Sequence, residues 1–160
     1  HQRFRLRPIK LPAHVKVVDF STAHLRLMRL DAWQLSVMRS FPAYEQSLGR
    51  MAAVGEAHTA LIEGHPVMCW GLIVLWPGVA EAWMLRDEAI SQHGMTLARC
   101  ASAYFLQVGA ALALSRCQFA VAADNGRAIR FAKYLKFSVE GVMRQYAPDG
   151  SDYLMMARLY

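Results

Sequence analysis

Charge is scarce in this chain: Asp, Glu, Lys and Arg make up 19% of it, against 55% apolar residues. That balance excludes a disordered chain, which needs low hydrophobicity and high net charge. Long hydrophobic runs are missing too. The longest, residues 66–79, covers about 14 positions and carries internal Gly and Pro, whereas a membrane-spanning helix needs about 20 apolar residues. Cysteine is nearly absent: Cys69, Cys100 and Cys117 are odd in number, scattered, and form no CxxC, and the six His show no HxxxH spacing. Disulfides and a zinc site are thereby disfavoured, and reduced thiols in a cytoplasmic, reducing compartment are expected. No secretory leader is visible after His1, although the chain does not open on Met.

What is present suits one domain over residues 1–160, long enough to bury a core without cross-links. Lys and Arg outnumber Asp and Glu by 18 to 12, a formal charge of +6. Such a surplus suits a polyanionic partner, which could be nucleic acid, a phosphorylated cofactor or an acidic protein surface.

Patterning predicts mixed elements. The alternation Arg3-Phe4-Arg5-Leu6-Arg7 reads as a strand stopped by Pro8, and residues 15–20 read as a second. Ser21 or Thr22 can cap one helix with Leu25, Met28, Ala32, Leu35 and Met38 at helical spacing, broken at Phe41-Pro42. A shorter helix follows over 44–53 and ends at Gly55. Strands at 57–62, 67–76 and 80–85 are joined by turns at 63–66 and 77–78, too short for crossovers, so these strands are antiparallel neighbours. The longest helix, 94–115, carries Leu97, Ala101, Tyr104, Phe105, Val108 and Leu112 on one stripe. A strand at 118–123, a helix at 125–136, a strand at 137–146, a turn at 148–150 and a strand at 153–160 complete an α+β domain.

Residues 125–137 read Asn-Gly-Arg-Ala-Ile-Arg-Phe-Ala-Lys-Tyr-Leu-Lys-Phe, followed by Val139-Glu140-Gly141. They resemble the N-x-x-A-x-x-h-Y-x-x-x-G-F segment (h is apolar) of the GCN5-related N-acetyltransferases, with Asn125, Ala128 and Phe137 in register. Residues 144–150 and 152–158 resemble that family's terminal hairpin. The resemblance implies the GNAT, or acyl-CoA N-acyltransferase, fold: a central, mostly antiparallel sheet flanked by helices. It would have N-terminal strands, helices and hairpin over 1–78 and an acyl-CoA-binding half over 79–160. It implies acetyl-CoA as cosubstrate and transfer of its acetyl group to an amine of a small molecule or protein.

Carried over residue by residue, the resemblance places the cofactor's acyl arm against the strand before the long helix. Trp83, Met84 and Leu85 are candidates there, and Met84 and Arg86 would present N–H groups. The family's phosphate loop, Q/R-x-x-G-x-G/A, matches here only in Gly94. Ser91 stands at the leading position and Thr96 at the second glycine, with Met95 between. Backbone N–H groups at a helix start hold phosphates without help from side chains, but a β-branched Thr96 limits their approach. Asp87 and Glu88 oppose an anion unless they turn outwards. Asn125 would tie its strand end to the cofactor groove, or simply cap the next helix; Arg127 and Ala128 would border the cofactor, with Arg99, Arg130 and Lys133 as further cations.

The chemistry is less well marked. The usual acid, a Tyr seven residues after the Asn, is replaced by Ala132, and Tyr134 lies about 200° further around the helix. Lys136 stands where the family prefers Gly. Tyr146 is the alternative acid. Glu81 is the candidate base: it shares a face with Trp83 and Leu85 by alternation, and desolvation beside Trp83 would raise its pKa. Glu56 and His58 are second choices. The acceptor is expected among residues 25–53 and 147–152, with Asp31, Trp33 and Tyr44 lining it. No metal is expected. The pattern is also similar to small acetyltransferase-like proteins of tailed phages. That resemblance keeps open a catalytically degenerate binding or structural protein, acting as a homodimer or with a phage or host partner. A nucleic-acid module using Arg3, Arg5, Arg7, Lys10 and Lys16 lacks any helix-turn-helix or RNP-like motif.

Overall fold

The computed structural model describes residues 7 and 10–160. The alternating stretch of residues 3–7 lies outside them except for Arg7, whose N–H donates to Gln107 Oε1 at 2.8 Å. Among the described residues the sheet has seven strands: β1 (Val15–Asp19), β2 (Glu56–Ile62), β3 (His65–Trp76), β4 (Val79–Arg86), β5 (Arg116–Ala122), β6 (Ser138–Met143) and β7 (Tyr153–Leu159). Their spatial order is β1-β2-β3-β4-β5-β7-β6. Helices α1 (Thr22–Leu27), α2 (Ala32–Ser40) and α3 (Tyr44–Val54) join β1 to β2, α4 (Gly94–Ala111) follows β4, and α5 (Gly126–Tyr134) follows β5. All neighbours are antiparallel except β4 and β5, which run parallel because α4 crosses over between them.

Short-range chemistry sets the hairpins. Glu63 and Gly64 have φ of 50° and 79°, the two left-handed residues that a two-residue hairpin requires. β3 therefore starts at His65, two residues before the expected Val67. Pro77 and Gly78, the latter at φ 88°, turn β3 into β4, and the register shift between Val74 and Trp76 absorbs the misfit.

Apolar side chains cover both sheet faces. On one, Leu97, Ala101, Tyr104, Phe105 and Val108 of α4 pack with Met68, Trp70, Leu72, Ala82 and the end of α5. Burying each large side chain there stabilises by about 1.5–3 kcal/mol. On the other, a smaller cluster joins Leu25, Met28 and Leu48 to Cys69 and Leu85, with Trp83 and Phe20 packed against it. A Cβ on Gly71 would sit 2.8 Å from the Trp83 indole. Only glycine lets that ring cover β3 and meet Phe20 edge-on at 5.1 Å.

Three expected elements differ. The helix anticipated across Leu25 and Met38 is two, because Met28 leaves α1 in an extended conformation and Asp31 caps α2 afresh by accepting from the Gln34 N–H. The intervening Arg29 is held by other partners: its N–H donates to Asp87 Oδ2 at 2.6 Å and its carbonyl accepts from the Glu88 N–H at 2.9 Å. The long helix stops at Ala111, before Ala113 takes φ 48°. β6 ends at Met143, because Gln145 takes φ 53° and its N–H donates to Asp152 Oδ1 at 2.9 Å. Tyr146 thus lies in the β6–β7 connection and not on a strand. Among the described residues no helix is long and apolar enough to cross a membrane.

Candidate functional site

β4 and β5 are paired only at their first residues. The register runs Val79↔Arg116, Ala80↔Cys117 and Glu81↔Gln118, then stops. β3 pairs with β4 along its whole length on one side, and β7 with β5 on the other. The two strands therefore splay from Ala82 onwards, opening a V between them. Strand alternation decides which backbone groups face that V. The Asp87 N–H donates to the Val67 carbonyl, on the β3 side, so Ala82, Met84 and Arg86 point their N–H and C=O groups away from β3.

Of these, Arg86 is already satisfied. Its N–H donates to Gln34 Oε1 at 2.6 Å, and its carbonyl accepts from Gln34 Nε2 at 2.7 Å. The expected free N–H at Arg86 is thus taken by a side chain from α2. Met84, two residues earlier on the same edge, has no partner on β5.

From the open end of β4 the chain passes through the 3₁₀ turn Glu88–Gln92 and enters α4 at Gly94. His93, at the cap position, makes no side-chain cap hydrogen bond, and the Leu97 N–H is the first to bond back, to the His93 carbonyl at 3.1 Å. The N–H groups of Gly94, Met95 and Thr96 precede it, at the positive end of an 18-residue helix. Nothing lies within 4 Å of a Cβ built on Gly94, so the space beside that residue is open. Asp87 does not face an anion there. It is fully buried, capping the 3₁₀ turn Glu88–Gln92 through the Ala89 N–H at 2.8 Å and meeting Arg29 N–H at 2.6 Å and His65 Nε2 at 3.2 Å. Burial pushes its carboxyl up, and the backbone and His65 hydrogen bonds more than reverse this, leaving the pKa below the ordinary value.

Cations gather at the open end. The Arg86 guanidinium lies 3.8 Å from Asp31 Oδ2; burial lowers its pKa, Asp31 opposes this, and the like charge of Arg127 adds to the lowering. Asn125 Oδ1 accepts from the Ala128 N–H at 3.2 Å, so its side chain caps α5. Ala128 is half-buried against the α4-side core. Ala132 is buried and offers no proton, while Tyr134 is exposed on another side of α5.

Glu81 is the last β4 residue paired to β5, at the closed end of the V. Burial raises its pKa above the ordinary carboxylate value. Glu56 and His58 are separated from β4 by β3. His58 is buried against Trp70 and Tyr104, with ring centroids at 5.6 and 5.3 Å, so it belongs to the core. Burial pushes the Cys117 thiol up to about 12 and those of Cys69 and Cys100 to about 11, which removes them as thiolate nucleophiles. Among the described residues no cluster of His, Cys, Asp and Glu could hold a metal ion.

A second feature lies among the segments named for the acceptor, residues 25–53 and 147–152, with the end of β5 and Tyr153 added. A cavity of about 140 Å³ lies between α2, the end of β5 and the β6–β7 connection, lined by Trp33, Val37, Phe41, Asp124, Asp149 and Tyr153 among others. Its residues come from three distant segments, and Asp124 and Tyr153 are the ones the sequence did not single out. Tyr146 lies beside Tyr153 and Phe41, at 5.2 and 6.3 Å between centroids. Burial and Tyr153 together push the Tyr44 hydroxyl up to about 12. Asp31 is engaged as the α2 cap. A larger hollow of about 620 Å³, beside Lys133, Lys136 and Val139, lies at the far, β6 edge of the sheet. It is an open surface lined by Lys133, Lys136, Phe137, Ser138 and Val139.

No family model and no curated protein matches the chain. Among solved structures, Ard1 from Thermoplasma volcanium superposes with a TM-score of 0.73 at 18% identity, covering 92% of this chain and 98% of that one. An acetyltransferase of the GNAT family from Bacillus anthracis gives 0.68 at 14% identity, covering 91% and 95%. RimL, a ribosomal α-N-protein acetyltransferase solved with coenzyme A, gives 0.70 at 15%, covering 94% and 97%. The chain has the fold of the GCN5-related N-acetyltransferases, with the mixed sheet and flanking helices expected of it.

Proposed function

We propose that the chain is an acyl-CoA-dependent N-acetyltransferase. The observation that carries this reading is the V between β4 and β5, with the start of α4, which has no side-chain cap, following β4 in the chain. An amide-bearing arm can add to the Met84 edge as a further strand would, while the first-turn N–H groups of α4 donate to a pyrophosphate. Arg86 and Arg127 add positive charge at the same end. The residues present therefore fit acetyl-CoA, which would supply a thioester carbonyl for attack. Met84, Leu85 and Arg86 would border its arm, Gly94, Met95 and Thr96 its phosphates, and Asn125, Arg127 and Ala128 the opposite wall.

In this reading the amine nitrogen bonds to the acyl carbon and the carbon–sulfur bond breaks. Glu81 takes the proton that the amine loses, directly or through a water, and its raised pKa brings it nearer to neutral pH. Tyr146 gives a proton to the leaving thiolate, since Ala132 has none to give. The cavity beside Tyr153 takes the acceptor: Asp124 and Asp149 suit an ammonium, and Trp33 and Phe41 its apolar neighbour. Tyr44 supports Tyr153, and Asp31 shapes the wall by capping α2. The structural neighbours include protein acetyltransferases and a phosphinothricin N-acetyltransferase, so the acceptor can be a protein terminus or a small amine.

The test is release of free thiol from acetyl-CoA in the presence of amines, followed against pH. Turnover should rise with pH through a pKa above the ordinary carboxylate value, and Glu81→Gln should remove that limb. Turnover in Glu81→Gln with an unchanged pH profile would clear Glu81. Unchanged turnover in Tyr146→Phe would clear Tyr146.

A further inference from the structure

The Gln34 carboxamide does at Arg86 what an incoming amide would do. It offers one acceptor and one donor, and the backbone of a splayed strand takes both, at 2.6 and 2.7 Å. No β5 partner reaches that part of the edge, so the side chain stands in for a missing strand. Gln34 sits in the first turn of α2, three residues after its cap at Asp31.

α2 is otherwise loosely held. None of its residues is buried, and Trp33 and Leu35 are among the exposed large apolar side chains. An element with few buried contacts opens at low free-energy cost. Its first turn is tied down by Gln34 on the Arg86 backbone and by the longer Asp31–Arg86 ion pair at 3.8 Å. The same helix presents Trp33, Ser36, Val37 and Ser40 to the 140 Å³ cavity. One residue therefore links the strand edge to the cavity wall.

We propose that Gln34 is a built-in occupant of the β4 edge, which an acyl-CoA arm displaces from Arg86, freeing α2 to reshape the acceptor cavity. This rests on the acyl-CoA reading given above. It implies that wild-type affinity is reduced by competition from its own side chain, and that the acceptor cavity takes its working shape after the acyl donor has bound.

Two measurements on the full chain test this. Calorimetric titration with acetyl-CoA should give a Kd about ten-fold lower in Gln34→Ala than in wild type, the scale expected when two neutral hydrogen bonds no longer compete. In the ¹⁵N spectrum of wild type, saturating acetyl-CoA should move the Gln34 carboxamide pair, the Arg86 amide and the Trp33 indole signal together. Equal or weaker binding by Gln34→Ala overturns the proposal while leaving the acyl-CoA reading intact. So does a Gln34 carboxamide signal that stays fixed while acetyl-CoA saturates the wild type, a result available even if the variant does not fold. Absence of acetyl-CoA binding in both proteins removes the underlying reading and the proposal with it.

Discussion

The two ends of β4 behave as different objects. Its first residues, Val79 to Glu81, are zipped between β3 and β5, with backbone groups committed to the ladder. Its last ones keep only the β3 side, and beyond Glu81 the other edge faces a V. A fully paired parallel strand is a buried structural element. A splayed one is a ligand crevice, because its unsatisfied amides must find water, a side chain or a guest. In the proposed reading, the acyl-CoA site comes from stopping the pairing three residues in.

The largest expected effect comes from the residue on the boundary. Glu81→Gln should lower kcat by at least about 100-fold, the scale of general-base loss, while the Kd for acetyl-CoA stays within about two-fold. A loss of affinity instead would move Glu81 from the chemistry to the cradle. The same substitution has a stability signature of opposite sign. Burial raises the Glu81 pKa, so its contribution is present below the ordinary carboxylate pKa and lost as pH rises through the raised value. At neutral pH the Gln variant should melt slightly higher than wild type.

Next in size is the anchor just past the open end. Asp87→Ala strips a fully buried carboxylate of its bonds to Arg29, Ala89 and His65, and should cost about 2–3 kcal/mol in denaturant unfolding. Its pKa is depressed in the fold. Its stabilisation is therefore present above the ordinary carboxylate pKa and lost as pH falls through the depressed value. Wild type should show that acid limb and Asp87→Asn should lack it. An unchanged acid limb would place the loop's support elsewhere.

The smallest effect is on the other wall of the V. Asn125→Ala removes the α5 cap and should cost about 1 kcal/mol of stability. If Asn125 acts only as a cap, acetyl-CoA affinity will follow the stability loss and be restored by Asn125→Asp or Asn125→Ser. Failure of both to restore binding would give the carboxamide a direct place at the cofactor.

Much of the sheet was legible because its signals are local. The Glu63-Gly64 and Pro77-Gly78 turns, the stripe of α4 and the 125–137 segment each declare themselves within a few residues. The break between α1 and α2 did not, because the apolar stripe runs through it in helical phase. The sign was Asp31 three residues before Gln34, a cap pattern, and the cause lies 58 positions away, in the bond from Arg29 to Asp87. Gln34 itself was invisible, since a glutamine in a helix names no backbone partner 52 residues distant. The cavity beside Tyr153 lies among the segments expected for the acceptor, but the part that Asp124 and Tyr153 supply was hidden for the same reason. Asp87 was read as a charge opposing phosphate; its burial turns it into a brace for the loop.

The central claim is that the V and the open start of α4 together hold an acyl-CoA. Calorimetric titration of the wild-type chain with acetyl-CoA tests it most directly. Saturable binding of one molecule per chain, weakened by salt because phosphates are being held, with a matching rise in melting temperature, is the predicted result. No heat and no thermal shift at millimolar acetyl-CoA would contradict it.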